Sequence, residues 1–254
     1  MERDIMKKFR LDILFLAIAV ICFGIYGVIS YNNARLAKNA DEVRTRIQET
    51  YSPVEAATDM PAYVSPYQSI FDSNKDCIAW LNIPDTNIDY PVMQTPDDEE
   101  YYLYRNFFGE DDKNGTLFMD TDCSLVQERN NLIIHGHHMK SGAMFGSLEK
   151  YADADFGRAH SKIYLYTQDE VRAYEVLSVF QARVYKGKTD KFRYYAYFSF
   201  DTQEKFDVYY NNIKKMSLYD TNVTAAYGDE IITLSTCAYH TKNGRFAVVG
   251  KRVE

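Results

Sequence analysis

Hydrophobic and polar positions divide the chain into three stretches. From Ile13 to Ser30 the sequence ILFLAIAVICFGIYGVIS runs for 18 residues without a charge. A bilayer core takes roughly 17–25 apolar residues, so this run is long enough to span one. Arg3, Lys7, Lys8 and Arg10 precede it, and the nearby acids Glu2, Asp4 and Asp12 contribute little to orientation. The positive-inside rule then predicts a short cytoplasmic segment over 1–12, a transmembrane anchor over 13–30, and everything from residue 31 onward outside the cell. A cleaved signal peptide is the competing reading, but the run is long for a signal core and no clean A-x-A site follows. A buried core helix fits poorly with the one-sided basic flank.

Residues 31–69 are polar and carry Pro53, Pro61 and Pro66. Asn33 to Glu49 holds good helix formers with thin apolar content (Leu36, Val43, Ile47), which predicts a stalk helix followed by a proline-punctuated linker. A folded domain is expected over 70–254.

From residue 78 the apolar runs become short, rich in Ile, Val, Tyr and Phe, and bounded by turn residues, the pattern of strands. Candidate strands are 78–83, 87–93, 115–120, 131–135, 161–167, 171–182, 230–236 and 245–253, with a hairpin turning at Gln168-Asp169. So many short strands predict a barrel or a sandwich. Two helices interrupt them. One is a short helix over 143–151. The other starts near Asp201, where Asp201 and Glu204 have capping-box spacing and Phe206, Tyr209, Tyr210, Ile213 and Met216 follow at helical intervals. That stripe predicts a helix packed on the sheet.

Composition changes this picture little. With 46% hydrophobic and 26% charged residues among 254, the chain is ordinary globular material with an appendage. A net charge of −7 argues against a nucleic-acid binder. The four cysteines Cys22, Cys77, Cys123 and Cys237 form no C-x-x-C pair, which leaves zinc-ribbon and thioredoxin readings without support. Cys77 and Cys123 could pair in an extracellular domain, and the sequence leaves that open.

Candidate chemistry lies at two strand ends. Residues 231–237 read IITLSTC, a β-branched strand that ends at Cys237, where a thiol is aimed by rigid backbone. Arg245 opens the next strand. If the two strands pair antiparallel, its guanidinium sits beside the thiol, favours a thiolate and can hold a developing oxyanion. A proton carrier is also needed. NLIIHGHHM, residues 131–139, is another apolar strand running into a turn, and His137 follows Gly136 there. An imidazole on that corner can donate a proton to a leaving amine and later take one from an incoming amine. His240, close to Cys237, is the rival partner. His138 and His160 read as surface residues. His135 and His137 would share a strand face, but no familiar zinc spacing accompanies them.

These segments together resemble the sortases, and among them class B. The T-L-x-T-C signature is present as Thr233-Leu234-Ser235-Thr236-Cys237, the downstream arginine as Arg245, and the histidine after a strand and a glycine as His137. AWLNIPDTNIDYPVMQ (79–94), YYL (101–103) and GTLFMD (115–120) follow in the family's order, and the helix from Asp201 falls where class B carries an insertion. The resemblance covers about residue 70 to the end. It implies a mainly β fold: an eight-stranded sortase-type barrel with N-terminal helices and a helix inserted before the cysteine strand. It further implies a cysteine transpeptidase with His137, Cys237 and Arg245 as catalytic residues and Ser235 and Leu103 as substrate contacts. Such an enzyme cleaves a C-terminal sorting signal of the Asn-Pro-x-Thr kind after threonine. It then passes the surface protein, through a thioester, to a peptidoglycan amine of a Gram-positive wall. No cofactor and no metal are expected. The partners are surface proteins bearing the signal, the peptidoglycan amine, and the membrane through the N-terminal helix. Positions 135 and 138, often Tyr and Asn in relatives, are both His here. Tyr239 stands where some class B members carry an acid. A purely hydrolytic secreted cysteine peptidase and a non-catalytic sortase-like binding domain are the alternative readings.

Overall fold

The computed structural model describes residues 2–51, 63–127, 131–185, 187, 189–238 and 241–253. Helix α1 runs unbroken over Glu2–Thr50, and its apolar stretch meets the length and hydropathy of a membrane span with none of that window buried. The helix expected over 33–49 is therefore the second half of α1. It does not stand away from the domain: Ala40 and Ile47 are buried, Asn114 Nδ2 donates to the Leu36 carbonyl at 3.0 Å, and Arg46 pairs with Glu110 at 3.1 Å. Ala40 and Ile47 are seven residues apart, two turns on one helix face, so a narrow stripe suffices to dock it.

After the short α2 (Gln68–Ser73) come β1 (Cys77–Asn82), β2 (Asp89–Met93), β3 (Leu117–Met119) and β4 (Asn131–Gly136). Next are α3 (Ala154–Ala159), β5 (Lys162–Tyr166), β6 (Val171–Arg183), α4 (Gln203–Met216), β7 (Ile231–Ala238) and β8 (Gly244–Arg252). The eight strands close a barrel in the order β1-β2-β3-β4-β7-β8-β6-β5. Closure gives every strand a hydrogen-bonded neighbour on both sides. Each of the eight expected strands is present, and β5 and β6 form the expected hairpin, with Tyr166 opposite Val171.

The barrel interior is filled by side chains such as Leu81, Val92, Leu117, Ile134, Leu165, Leu234 and Val248, all fully buried. A second apolar cluster lies between α4 and the neighbouring strands. There Phe206, Tyr209 and Ile213 meet Leu177, Phe180, Ile231 and Val249, as the helical stripe predicts. A third cluster joins Ile47 of α1 to Trp80, Tyr102 and Phe107.

Two expectations on helices are corrected. Residues 143–147 are not helical; a 3-10 turn over Leu148–Ala152 leads into α3 instead. Met144 sits at φ +51, and a Cβ on Gly146 would lie 2.1 Å from the Met139 carbonyl oxygen, so close backbone packing overrides helix propensity there. The cap of α4 is Thr202, whose extended backbone lets its hydroxyl accept from the Lys205 amide at 3.2 Å. Asp201 pairs with Lys205 at 3.3 Å.

Docking of α1 makes a quantitative prediction. Ile47→Ala removes a side chain 1% exposed and should cost about 2–4 kcal/mol, against almost nothing for the exposed Thr45→Ala. Denaturant midpoints of the detergent-solubilised protein measure this; equal midpoints for the two variants would show that α1 is not part of the packed body.

Candidate active site

The barrel brings three expected residues into one row. β4 and β7 lie side by side and parallel, with His135 opposite Ser235 and Gly136 opposite Thr236. One step further along the two chains come His137 and Cys237. β7 and β8 pair antiparallel, with Cys237 opposite Arg245. Imidazole, thiol and guanidinium thus issue from the residue after β4 and from its neighbours β7 and β8, at one end of the barrel.

Local sequence explains how each is held. Ile231 to Thr236 are all buried and only Cys237 emerges, so the strand is anchored along its length up to the thiol. The Thr236 hydroxyl donates to the Gly136 carbonyl at 2.8 Å and ties β7 to β4 immediately below the site. Gly136 cannot carry a side chain: its Cβ would come within 2.5 Å of Leu117 and 2.7 Å of Phe145.

The His137 Nε2 lies 2.7 Å from the Leu103 carbonyl oxygen. A carbonyl only accepts, so Nε2 carries the hydrogen and Nδ1 is left with the lone pair. Burial pulls this imidazole below its ordinary value of 6.5, against the Leu103 hydrogen bond, which acts upward. The Tyr104 ring lies 5.2 Å from it. Leu103 belongs to a 3-10 turn, Tyr101–Tyr104, that packs onto Gly115. Gly115 adopts φ +60, and a Cβ there would meet the Leu103 oxygen at 2.3 Å. Only glycine lets that carbonyl sit where His137 finds it.

Ser235 is 1% exposed, and its hydroxyl is 2.7 Å from that of Tyr194. The expected contact residue is therefore covered by Tyr194 instead of being open at the surface. Tyr194, in a 3-10 turn over Tyr194–Ala196, carries no sequence signal that singles it out. Its hydroxyl is pushed up to about 12, first by burial; the Ser235 hydrogen bond and the charge of Arg245 act the other way. Below it, Tyr209 of α4 lies 3.2 Å from the Thr233 hydroxyl, which donates to Asn131 at 2.7 Å. The inserted helix thus braces the cysteine strand through buried hydroxyls.

Among the described residues, the other histidines each have a separate partner. His138 is not a surface residue: its side chain is 10% exposed and its Nε2 is 3.2 Å from Glu149. His160 stacks on Phe156, with ring centroids 4.0 Å apart. His135 faces Asp120 at 3.5 Å; with Glu99 these two bring one ligand atom each to within 4.8 Å of one another. Such a trio could hold a cation, but it excludes His137 and His138. The rival His240, and Tyr239, lie outside the described residues. Cys77 and Cys123 are both buried free thiols, so the pairing left open by the sequence is not formed.

Residues 81–253 match the family described as the sortase domain. Sortase B of Listeria monocytogenes is 40% identical over 182 residues, covering 71% of each chain. The crystal structure of Bacillus anthracis sortase B in complex with AAEK1 superposes with a TM-score of 0.68 at 32% identity, over 83% of this chain and 94% of that one. A Staphylococcus aureus sortase B–substrate complex gives 0.67 at 26% identity, over 85% and 94%. A closed eight-stranded barrel whose residues 81–253 match that family defines a sortase-type enzyme. The chain belongs to the sortase family, and within it to the cysteine transpeptidases of the B type.

His137 yields a prediction on pH. Because burial favours the neutral ring, NMR titration should place its midpoint below 6.5 with the hydrogen on Nε2. By linkage, that resistance to protonation costs folding stability as pH falls below the ordinary histidine range, and not above it. A midpoint at or above 6.5 would contradict the half-buried, carbonyl-bound ring.

Proposed function

We propose that Cys237, His137 and Arg245 carry out transpeptidation on a sorting signal of the Asn-Pro-x-Thr kind, with a peptidoglycan amine as acceptor. The observation that carries this is the register: Cys237 stands opposite Arg245, and His137 follows the last paired residue of the neighbouring parallel strand.

In the first half-reaction the Cys237 sulfur attacks the carbonyl carbon of the threonine. The C–S bond forms and the carbonyl oxygen takes up negative charge. Arg245, permanently charged and forked, is suited to hold that oxyanion. His137 takes the Cys237 thiol proton on Nδ1 as the sulfur attacks, then gives it to the departing amine as the C–N bond breaks, leaving a thioester. In the second half-reaction the acceptor amine attacks the thioester. The new C–N bond forms, the C–S bond breaks, and His137 takes the amine's proton. Both halves share one tetrahedral geometry, so the same groups serve twice.

Ser235 and Leu103 fit roles in presenting this machinery to substrate. The Ser235 hydroxyl is held from below by Tyr194, which fixes the strand that the substrate's threonine would lie along. Leu103 offers its carbonyl to His137, and its side chain is half-buried. We infer that 1–12 is cytoplasmic, that 13–30 crosses the membrane and that the catalytic domain, 70–254, is extracellular. The intervening part of α1 then holds the barrel close to the bilayer, because residues 36–47 already pack against it.

Mass spectrometry of the protein mixed with an Asn-Pro-x-Thr peptide tests the assignment. A thioester adduct on Cys237 is expected in the wild type and none in Cys237→Ala. Arg245→Lys should slow peptide cleavage by about 100–1000-fold, because a point charge cannot replace the fork. Cleavage retained in Cys237→Ala would overturn the reading.

A further inference from the structure

Asn114 lies between the anchor helix and the imidazole, and its hydrogen bonding is one-sided. The residue is 1% exposed. Its Nδ2 donates to the Leu36 carbonyl of α1 at 3.0 Å, while its Oδ1 is buried with no partner among the described residues. An amide oxygen buried unpaired is unfavourable, so an apolar side chain of the same size would suit the position at least as well. Nor does α1 need the bond. The helix runs unbroken through Leu36, whose carbonyl already accepts from the amide four residues on. Fold stability alone gives no reason for an asparagine here.

Contacts in series lead from Asn114 to the active site. Its neighbour Gly115 lies so close to the 3-10 turn over Tyr101–Tyr104 that a Cβ would meet the Leu103 oxygen at 2.3 Å. That oxygen holds the His137 Nε2 at 2.7 Å. The turn is strapped to the same segment twice more. The Asp112 amide donates to the Tyr104 carbonyl at 3.0 Å, and the Thr116 amide to the Tyr102 carbonyl at 3.0 Å. Asp112 also fixes Asn114, accepting its backbone amide on Oδ1 at 2.8 Å.

Segment 112–116 and the turn are thus one piece, with α1 on one side and the imidazole on the other. A second polar tie to α1, Arg46 with Glu110 at 3.1 Å, is an exposed ion pair, and such pairs hold weakly. The buried Asn114 amide is the firmer of the two.

We propose that Asn114 is a positioning residue: its bond to Leu36 carries the seating of α1, through Gly115 and the Leu103 carbonyl, to the His137 ring. This rests on the reading of His137 as proton carrier. With α1 seated, the Leu103 oxygen is held where Nε2 keeps its hydrogen and Nδ1 keeps the lone pair. Without the Asn114 bond the segment shifts against α1, the carbonyl moves with it, and the ring loses its fixed tautomer. Proton transfer demands close alignment, so the loss falls on kcat more than on KM.

The test uses the full-length protein in detergent and Asn114→Leu, which is close in size and unable to donate. Its denaturant midpoint should equal or exceed that of the wild type. For cleavage of the Asn-Pro-x-Thr peptide, kcat should fall roughly ten- to hundredfold with KM within about twofold. Nitrogen NMR of the His137 ring should show the wild type's Nε2-hydrogen form replaced by a mixture of both tautomers. Asn114→Ala, which also leaves a cavity, is read against Val176→Ala, a buried barrel position opposite Gly250 and remote from the site. The first should lose kcat and the fixed tautomer, the second only midpoint. Wild-type kcat and wild-type imidazole signals in Asn114→Leu, or equal effects of Asn114→Ala and Val176→Ala on kcat, would overturn the link. Failure of the wild type to cleave the peptide would overturn the catalytic reading instead, and the imidazole signals would still decide whether Asn114 positions the ring.

Discussion

The site depends on the parallel pairing of β4 with β7. These strands are far apart in sequence, and their register alone decides whether the residue after Gly136 lies beside Cys237 or elsewhere. Slipping a strand by one residue turns every side chain to the opposite face, so this pairing must be pinned. It is pinned from three directions. Ile133, Ile134 and Leu234 are fully buried among the core side chains; the Thr236 hydroxyl reaches the Gly136 carbonyl; and Asn131 is joined to Thr233 at the strands' beginning. The antiparallel partner β8 then places Arg245 by ordinary ladder geometry.

Around that frame the surrounding elements tune rather than create the site. The 3-10 turn at 101–104, admitted by Gly115, sets the imidazole's tautomer through a backbone carbonyl. The turn carrying Tyr194 and helix α4 brace the outer face of β7 with hydroxyls. Partial burial favours the neutral ring of His137, which fits the proton carrier proposed for it, while the permanent charge is left to Arg245. α1 joins the same body through Ala40 and Ile47, so a membrane-length helix and the catalytic barrel are mechanically continuous.

What the sequence makes legible follows from what is periodic or locally encoded. Short β-branched runs between turn residues mark the strands, and the stripe from Phe206 to Ile213 marks α4. The cysteine, histidine and arginine are legible because they fall at strand ends, and the resemblance adds their order. Other features are set by tertiary contact and leave little local trace. Residues 143–147 look helical, yet positive φ at Met144 and the tight fit of Gly146 forbid it. Thr202 outcompetes Asp201 as a cap through backbone geometry that composition does not reveal. Leu103 contributes a carbonyl, which every residue type has. Tyr194 is one tyrosine among 22. The helix of 33–49 reads as a stalk because two buried residues two turns apart are too sparse a stripe to announce docking.

The central claim, that positions 137 and 237 are neighbours on parallel strands, has a direct test. Oxidation of the His137→Cys variant under mild conditions, followed by peptide mapping, should find a disulfide between position 137 and Cys237, since each follows the last paired residues of β4 and β7, Gly136 and Thr236, and a disulfide needs Cα atoms within roughly 4.4–6.8 Å. The buried Cys77 and Cys123 should remain as thiols. Recovery of free thiols at both 137 and 237 under conditions that oxidise exposed cysteines would mean that β4 and β7 do not meet in this register.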